Sequence, residues 1–285
     1  MILVTGATGN VGREVVNLLL SSGKQVVAAT RNPAIVALPN GAHVVEGDPS
    51  RPQTLAKTLS GVEAVFISPR ALGDATAGAA TIELLKLATE QGAQRVVAVS
   101  AVTVEEDSGE KRFSDAFRRV EDAVRTSGLQ WTVLRCTDFA VNTLVWATQI
   151  RQSGAVWGVY GDGATSVIHE RDVAEVSARA LLEAAHAGHS YTLTGPQVLT
   201  QRARVHLIGE AIGREVSWVE VAPSQFRQAV LAQGLPEHVP DRLIGYWSDH
   251  VLQPGPSSDA VEQILGRPAL TFAQWVAEHA AAFKN

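Results

Sequence analysis

Met1-Ile-Leu-Val-Thr-Gly-Ala-Thr-Gly-Asn-Val-Gly12 opens the chain, and its reading decides the fold. Ile2 to Thr5 is a short apolar, β-branched run, the pattern of a buried parallel strand. Gly6, Gly9 and Gly12 follow at a spacing of three, and a helical pattern begins at Asn10. Val11, Val15, Leu18 and Leu19 recur on one face until Ser22-Gly23 ends it, glycine being the usual residue just past a helix. Strand, glycine turn and helix N-terminus in that order form an anion site. Backbone N–H groups point outward, the helix dipole favours negative charge, and the missing Cβ atoms let a pyrophosphate approach. A second strand, Gln25 to Thr30, completes a βαβ unit of dinucleotide-binding length. Three glycines could serve tight packing alone; the strand before and the helix after favour the dinucleotide.

The residue after the second strand bears on which dinucleotide. An Asp or Glu there accepts hydrogen bonds from a ribose 2′-OH, but this chain has Arg31, in Thr30-Arg31-Asn32-Pro33. A guanidinium suits a 2′-phosphate, so NADP is expected over NAD, the alternative being a solvated surface arginine.

Working outward, strands and helices alternate through the first half. Val44 to Glu46, Ala64 to Ser68, Arg95 to Ser100 and Trp131 to Arg135 read as strands. Residues 54–59, 79–91 and 113–126 read as helices. This alternation predicts an α/β protein with a Rossmann-like, doubly wound parallel sheet and ligands at the carboxyl ends of its strands. After Cys136 the rhythm changes. A helix through 144–152 leads to a glycine- and aromatic-rich stretch, 154–161, read as an irregular strand or hairpin. Asp172 is expected as the N-cap of a helix over 173–185, followed by a strand at 191–194. Helices at 201–212, 224–233 and 271–283 and a strand at 216–221 complete the pattern, with 235–258, rich in Pro and Gly, as the most mobile part. The expected division is a nucleotide-binding domain over 1–136 plus about 166–196, and a small α/β substrate-binding cap from about 137–165 and 197–285.

Composition narrows the function. With 285 residues, 46% hydrophobic and 19% charged, the chain has ample material for a core. A net charge of −5 and the absence of a basic run argue against nucleic acid. A single cysteine, Cys136, cannot form an intrachain disulfide or a thiolate cage, and no metal site is expected. No apolar run reaches the roughly 18 residues of a membrane span, and no leader precedes the first strand, so the cytoplasm is the expected compartment.

Several stretches together resemble the NmrA-like branch of the atypical short-chain dehydrogenase/reductases. They are Gly6-Ala-Thr-Gly-Asn-Val-Gly12, Thr30-Arg31-Asn32-Pro33, Gly47-Asp48 with Leu55, Ser127-Gly128-Leu129 leading into Thr132-Val-Leu-Arg135, and Phe139 with Asn142. Ile168-His169 with Asp172-Val173-Ala174, Leu193-Thr194-Gly195-Pro196 and Gly266-Arg267-Pro268 fit as well. The resemblance spans nearly the whole chain; Cys136 departs from it, standing where the family usually carries proline. It implies NADP(H) in an extended groove, with Gly6, Thr8, Gly9, Asn10 and Val11 cradling the pyrophosphate and Arg31 holding the 2′-phosphate. Asp48 would lie near the adenine, Ser68, Pro69 and Arg70 would flank the ribose, and Thr137, Asp138 and Phe139 would line the nicotinamide pocket. The family holds quinone and carbonyl reductases, reductases of aromatic natural products, and members that only sense NADP(H).

Ordinary members of the wider superfamily pair a Ser at the end of the fifth strand with Tyr-x-x-x-Lys on the next helix, the tyrosine giving a proton to the carbonyl oxygen. Ser100 is present and is the candidate catalytic residue. Counting back from Glu121, the lysine position is Phe117 and the tyrosine position is Phe113, so the pair has become Phe-x-x-x-Phe. No tyrosine precedes Tyr160, and Lys111 is the one lysine between Ala101 and Asp162. Losing a general acid costs about 10²–10⁴-fold, or about 3–5 kcal/mol of barrier. A quinone tolerates that loss because its oxyanion is delocalised; a ketone beside a phenolic hydroxyl can draw the proton from itself. The expected activity is therefore NADPH-dependent hydride transfer to a carbonyl of a flat phenolic or quinoid molecule, of the kind found in aromatic polyketides and antibiotic biosynthesis. Phe113, Phe117, Trp146 and Trp247 are candidate stacking surfaces, each equally readable as core. A general quinone reductase and a non-catalytic NADP(H) sensor are the alternatives.

Overall fold

The computed structural model describes residues 1–36, 38–73, 76–106 and 111–284. The first half runs β1 (Ile2–Val4), α1 (Asn10–Ser21), β2 (Val26–Thr30), β3 (His43–Glu46), β4 (Ala64–Ile67), α2 (Ala77–Glu90), β5 (Arg95–Ala101), α3 (Thr103–Glu106), α4 (Lys111–Arg125) and β6 (Gln130–Cys136). There follow α5 (Ala147–Ser153), β7 (Ala155–Gly158), β8 (Ala164–Thr165), α6 (Glu170–Leu182), β9 (His189–Leu193), β10 (Leu199–Thr200) and α7 (Gln201–Ile212). The chain ends with β11 (Ser217–Glu220), α8 (Pro223–Leu231), α9 (His238–Leu252), α10 (Ala260–Leu265) and α11 (Phe272–His279). It divides into two compact units: Met1–Val104, Ser114–Cys136 and Glu170–Thr192 form the first, and Glu105–Phe113, Thr137–His169 and Leu193–Asn285 the second.

The first unit is Rossmann-like, built on a seven-stranded sheet of order β3-β2-β1-β4-β5-β6-β9. Every pairing from β3 to β6 is parallel, with Leu3 opposite both Val27 and Val65. Side chains alternate across such a sheet. Leu3, Val27, Val65, Ile67, Val96, Ala98 and Val133 meet Leu84, Leu85, Val120 and Val124 of α2 and α4 in one core. Their neighbours Val4, Val26, Phe66 and Val97 are equally buried and point to the other face, where α1 and α6 pack. Strand order reverses between β1 and β4, which makes the carboxyl ends of those two strands the topological switch point.

The second unit has its own core, in which Ile150, Val156, Val205, Ile208, Phe272, Trp275 and Phe283 converge. Several expectations are corrected here. The 154–161 stretch is not a hairpin: β7 pairs in parallel with β11, Val156 opposite Trp218. Residues 235–258, expected to be the most mobile part, contain the 15-residue helix α9. Pro240 does not prevent it, because it falls in the first turn, where a backbone N–H has no intrahelical partner to lose. The helix expected over 54–59 is a 3-10 helix over 52–58, and the one expected over 144–152 is α only from Ala147, residues 140–146 being 3-10. Asp172 lies inside the first turn of α6 instead of capping it, complementing the dipole there. The short helix α10 was not expected at all.

Candidate functional site

The glycine turn between β1 and α1 lies at the switch point, and each glycine has its own reason. Gly6 has φ +63°, and a Cβ there would come within 2.8 Å of Ser68 Cβ. A Cβ on Gly12 would lie 2.2 Å from the Gly6 carbonyl oxygen, so only glycine lets the helix start this close to the turn. A Cβ on Gly9 would meet nothing nearer than that same oxygen at 3.3 Å, which leaves its outer side open. Gly9 is the N-cap of α1; no side chain caps the helix and no acidic residue occupies its first turn. Thr8, Gly9 and Asn10 are exposed, and Val11 is half-buried. The first-turn N–H groups are thus a ready anion acceptor beneath an open cradle, and the residues present fit a dinucleotide pyrophosphate.

Thr5 stitches the two sides of this crevice together. Its buried hydroxyl donates to Phe66 O at 2.9 Å, and the Ser68 N–H donates to Thr5 Oγ1 at 2.9 Å. That brings Ser68 against Gly6, with Ala71 behind it; Pro69 is buried and Arg70 exposed. At the end of β2, Arg31 is exposed and has no hydrogen-bond or ion-pair partner among the described residues. Asp48 follows β3 and is tied into its own loop. It accepts from Ser50 N–H at 3.0 Å, Ser50 Oγ at 2.7 Å and Arg51 Nε at 3.1 Å, and the Ser50 hydroxyl chiefly holds its carboxyl below the usual range.

Ser100, the candidate catalytic residue, faces a buried carboxylate. It is 3% exposed and donates to Glu121 Oε1 at 2.6 Å. Glu121, fully buried on α4, also takes both Nε and Nη2 of Arg135, at 2.9 and 2.7 Å, and pairs with Arg125 at 2.8 Å. Burial pushes the Glu121 carboxyl up, but the Arg135 and Ser100 hydrogen bonds and the two guanidinium charges outweigh it, and the group sits below its ordinary value. The serine proton is therefore spent inside a charged, buried network that fastens α4 to β5 and β6. Cys136, at the end of β6, is buried, and burial raises its thiol far above the ordinary range.

Phe117 lies in the first unit, half-buried on α4. Phe113, one turn earlier, belongs to the second unit, where the Arg242 guanidinium lies 4.4 Å from its ring centre. Trp146, half-buried, packs against the second core and meets Trp218 edge-on at 6.1 Å. Trp247, half-buried on α9, has Arg204 over its ring at 5.2 Å. Thr137, Asp138 and Phe139 follow β6 into the second unit. Thr137 donates to Ser166 O at 2.6 Å, and Phe139 runs parallel beside Ile168.

Asp138 leads to a group that the sequence did not reveal. Its Oδ2 accepts from Arg204 Nη1 at 2.7 Å; its Oδ1 accepts from Thr165 Oγ1 at 2.5 Å and from Tyr246 Oη at 3.3 Å. Arg204 is 1% exposed. Residues 66 and 108 positions apart in sequence cannot be paired by spacing. One signal was available: on α7 the buried residues are Gln201, Arg204, Val205, Ile208 and Gly209, so an arginine stands on the apolar face, where a charge needs a partner. Among the described residues, no group of three His, Cys, Asp or Glu could hold a metal ion. Nor is any helix among the described residues long and apolar enough to cross a membrane.

The NAD(P)H-binding family matches residues 6–184. A (4-alkanoyl-5-oxo-2,5-dihydrofuran-3-yl)methyl phosphate reductase from Streptomyces griseus is 35% identical, with 99% of each chain covered. An NAD(P)H azoreductase from Xenophilus azovorans is 32% identical, again over 99% of each. The NADPH-dependent quinone oxidoreductase 2 of Escherichia coli, solved with NADPH, superposes with a TM-score of 0.81 at 26% identity, covering 98% of this chain and 99% of that one. The glycine turn, the sheet order and these relatives agree, and the chain belongs to the NAD(P)H-binding family of NmrA-like, atypical short-chain dehydrogenase/reductases.

Proposed function

We propose that the protein is an NADPH-dependent reductase whose substrate is a flat, conjugated, electron-poor molecule, a quinoid or phenolic aromatic carbonyl compound above all. When bound, NADPH supplies a hydride to the substrate carbon. In this reading the first-turn N–H groups of α1, over Gly6, Thr8, Gly9, Asn10 and Val11, hold the pyrophosphate, and Arg31, exposed and unpaired, takes the 2′-phosphate. Asp48, Ser68, Pro69 and Arg70 border the adenosine and ribose, and the Thr137–Phe139 segment borders the nicotinamide.

One observation carries the substrate class: no proton donor stands where this chemistry ordinarily has one. Phe113 and Phe117 occupy the tyrosine and lysine positions, and the Ser100 hydroxyl is committed to Glu121. Hydride added to an isolated ketone leaves a localised alkoxide, which needs an acid in place. Added to a quinone, it leaves an anion spread over the conjugated system, which water can protonate afterwards. The relatives' names agree in this respect. An acyl-substituted dihydrofuranone, an azo compound and a quinone are all conjugated acceptors that delocalise the incoming electron pair.

The test follows NADPH oxidation with naphthoquinones, hydroxylated polycyclic ketones and simple ketones. Naphthoquinones and phenolic ketones are expected to turn over, and isolated ketones at least ~10²-fold more slowly. Comparable rates with isolated ketones would contradict the reading. No turnover at all, with different affinities for NADP⁺ and NADPH, would make the protein a redox sensor.

A further inference from the structure

Tyr160 is the only described residue besides glycine with a left-handed backbone, at φ 55°, where a bulky side chain is a steric outlier. Its surroundings make the choice of residue more pointed. Gly158, Gly161 and Gly163 flank it, and crowding explains each. A Cβ would lie 2.3 Å from the Trp218 ring at Gly158, 2.4 Å from Trp218 Nε1 at Gly161, and 2.9 Å from the Trp247 carbonyl oxygen at Gly163. The position where glycine would relieve backbone strain carries a tyrosine instead.

The backbone there is over-determined. The Tyr160 N–H donates to Glu220 Oε1, and the Gly161 N–H donates to Glu220 Oε2 at 3.0 Å. Gln201 Nε2 and the Gly163 N–H both donate to the Tyr160 carbonyl, at 3.0 and 2.8 Å. Glu220 is itself anchored by Trp218 Nε1 at 2.8 Å and Arg202 Nη2 at 2.9 Å. The side chain is the opposite case. It is half-buried, belongs to neither hydrophobic core, and has no hydrogen-bond or ring partner among the described residues. Through Gly163 the turn lies against Trp247, so Tyr160, Trp218 and Trp247 share this part of the second unit.

A strained residue held by so many bonds marks a functional position more often than an accident of packing. We propose that Tyr160 is a specificity-determining residue: the clamped turn presents its ring as a rigid stacking surface for a flat aromatic substrate. The identity of the ligand rests on the reductase reading above; the role of the residue does not.

The test uses the full chain, 1-naphthol as probe and tryptophan fluorescence to follow binding, beside thermal melts. Tyr160→Gly relieves the backbone and removes the ring. It is expected to raise Tm by about 2–4 °C and to weaken 1-naphthol binding by about 5–10-fold. Tyr160→Phe keeps the ring and is expected to bind within twofold of wild type. Unchanged binding in Tyr160→Gly would overturn the proposal, as would a lowered Tm, which would make the ring a packing residue. Absence of 1-naphthol binding by the wild type would overturn it too. A wild type that binds 1-naphthol but reduces no quinone would remove the reductase reading and leave the Tyr160 assignment in place.

Discussion

Ser100 and Arg31 show how a side chain's partners decide its role. Because Ser100 donates to a buried carboxylate at 2.6 Å, Ser100→Ala should leave kcat with a naphthoquinone within about twofold and cost about 1.5–3 kcal/mol of stability, read from steady-state rates and a thermal melt. A serine that touched the substrate would cost far more in rate. Arg31 has no partner among the described residues that would explain it structurally, so Arg31→Asp should weaken NADPH binding by tenfold or more, a charge-assisted phosphate contact being worth about 1.5–3 kcal/mol. NADH binding should change little. Equal losses for the two nucleotides, measured by fluorescence titration, would remove Arg31 from the site. At this scale the sequence was informative where one residue type in one local frame carries the chemistry, as with Gly6, Gly9 and Gly12. It was silent on Tyr160, because a backbone dihedral is not written in a residue's identity, and on the Asp138–Arg204–Tyr246 group, whose members meet only after folding.

Among the elements, α4 is the one whose anchoring is most exposed to test. Glu121 binds it to Ser100 on β5 and Arg135 on β6, and its lowered carboxyl makes that anchor pH-dependent. The folded-state value lies below the ordinary glutamate value of 4.5, so the stabilisation is fully present above about pH 4.5 and is lost as pH falls through the folded value. Glu121→Gln strands the arginines and should cost about 3 kcal/mol, a Tm drop of ~6–12 °C at pH 7. Its Tm should then decline less than that of wild type between about pH 5 and 3; parallel declines would contradict the assignment. Elements with strong local signals, such as β1, α1, β5 and α7, were legible within a residue or two. Helix α9 was not, because Pro240 and Gly245 look like breakers until their places in the turn are known. The pairing of β7 with β11 was hidden as well: the partners lie about sixty residues apart.

For the molecule as a whole, the alternating first half of the chain made the Rossmann-like sheet readable, since each strand and helix announces itself and the right-handed crossover leaves few ways to assemble them. The second unit has no such rhythm, and its polar cluster and strained turn exist only in the folded chain. In the proposed function, what would join the fold to the chemistry is a nucleotide held on the turn between β1 and α1. Hydrogen–deuterium exchange of the peptide spanning residues 5–16, with and without saturating NADPH, measures this most directly. Marked slowing is expected at the amides of Asn10 to Gly12 on addition of NADPH, the Gly9 N–H being already bonded to the Gly6 carbonyl. Unchanged exchange there, with protection appearing elsewhere in the chain, would contradict it.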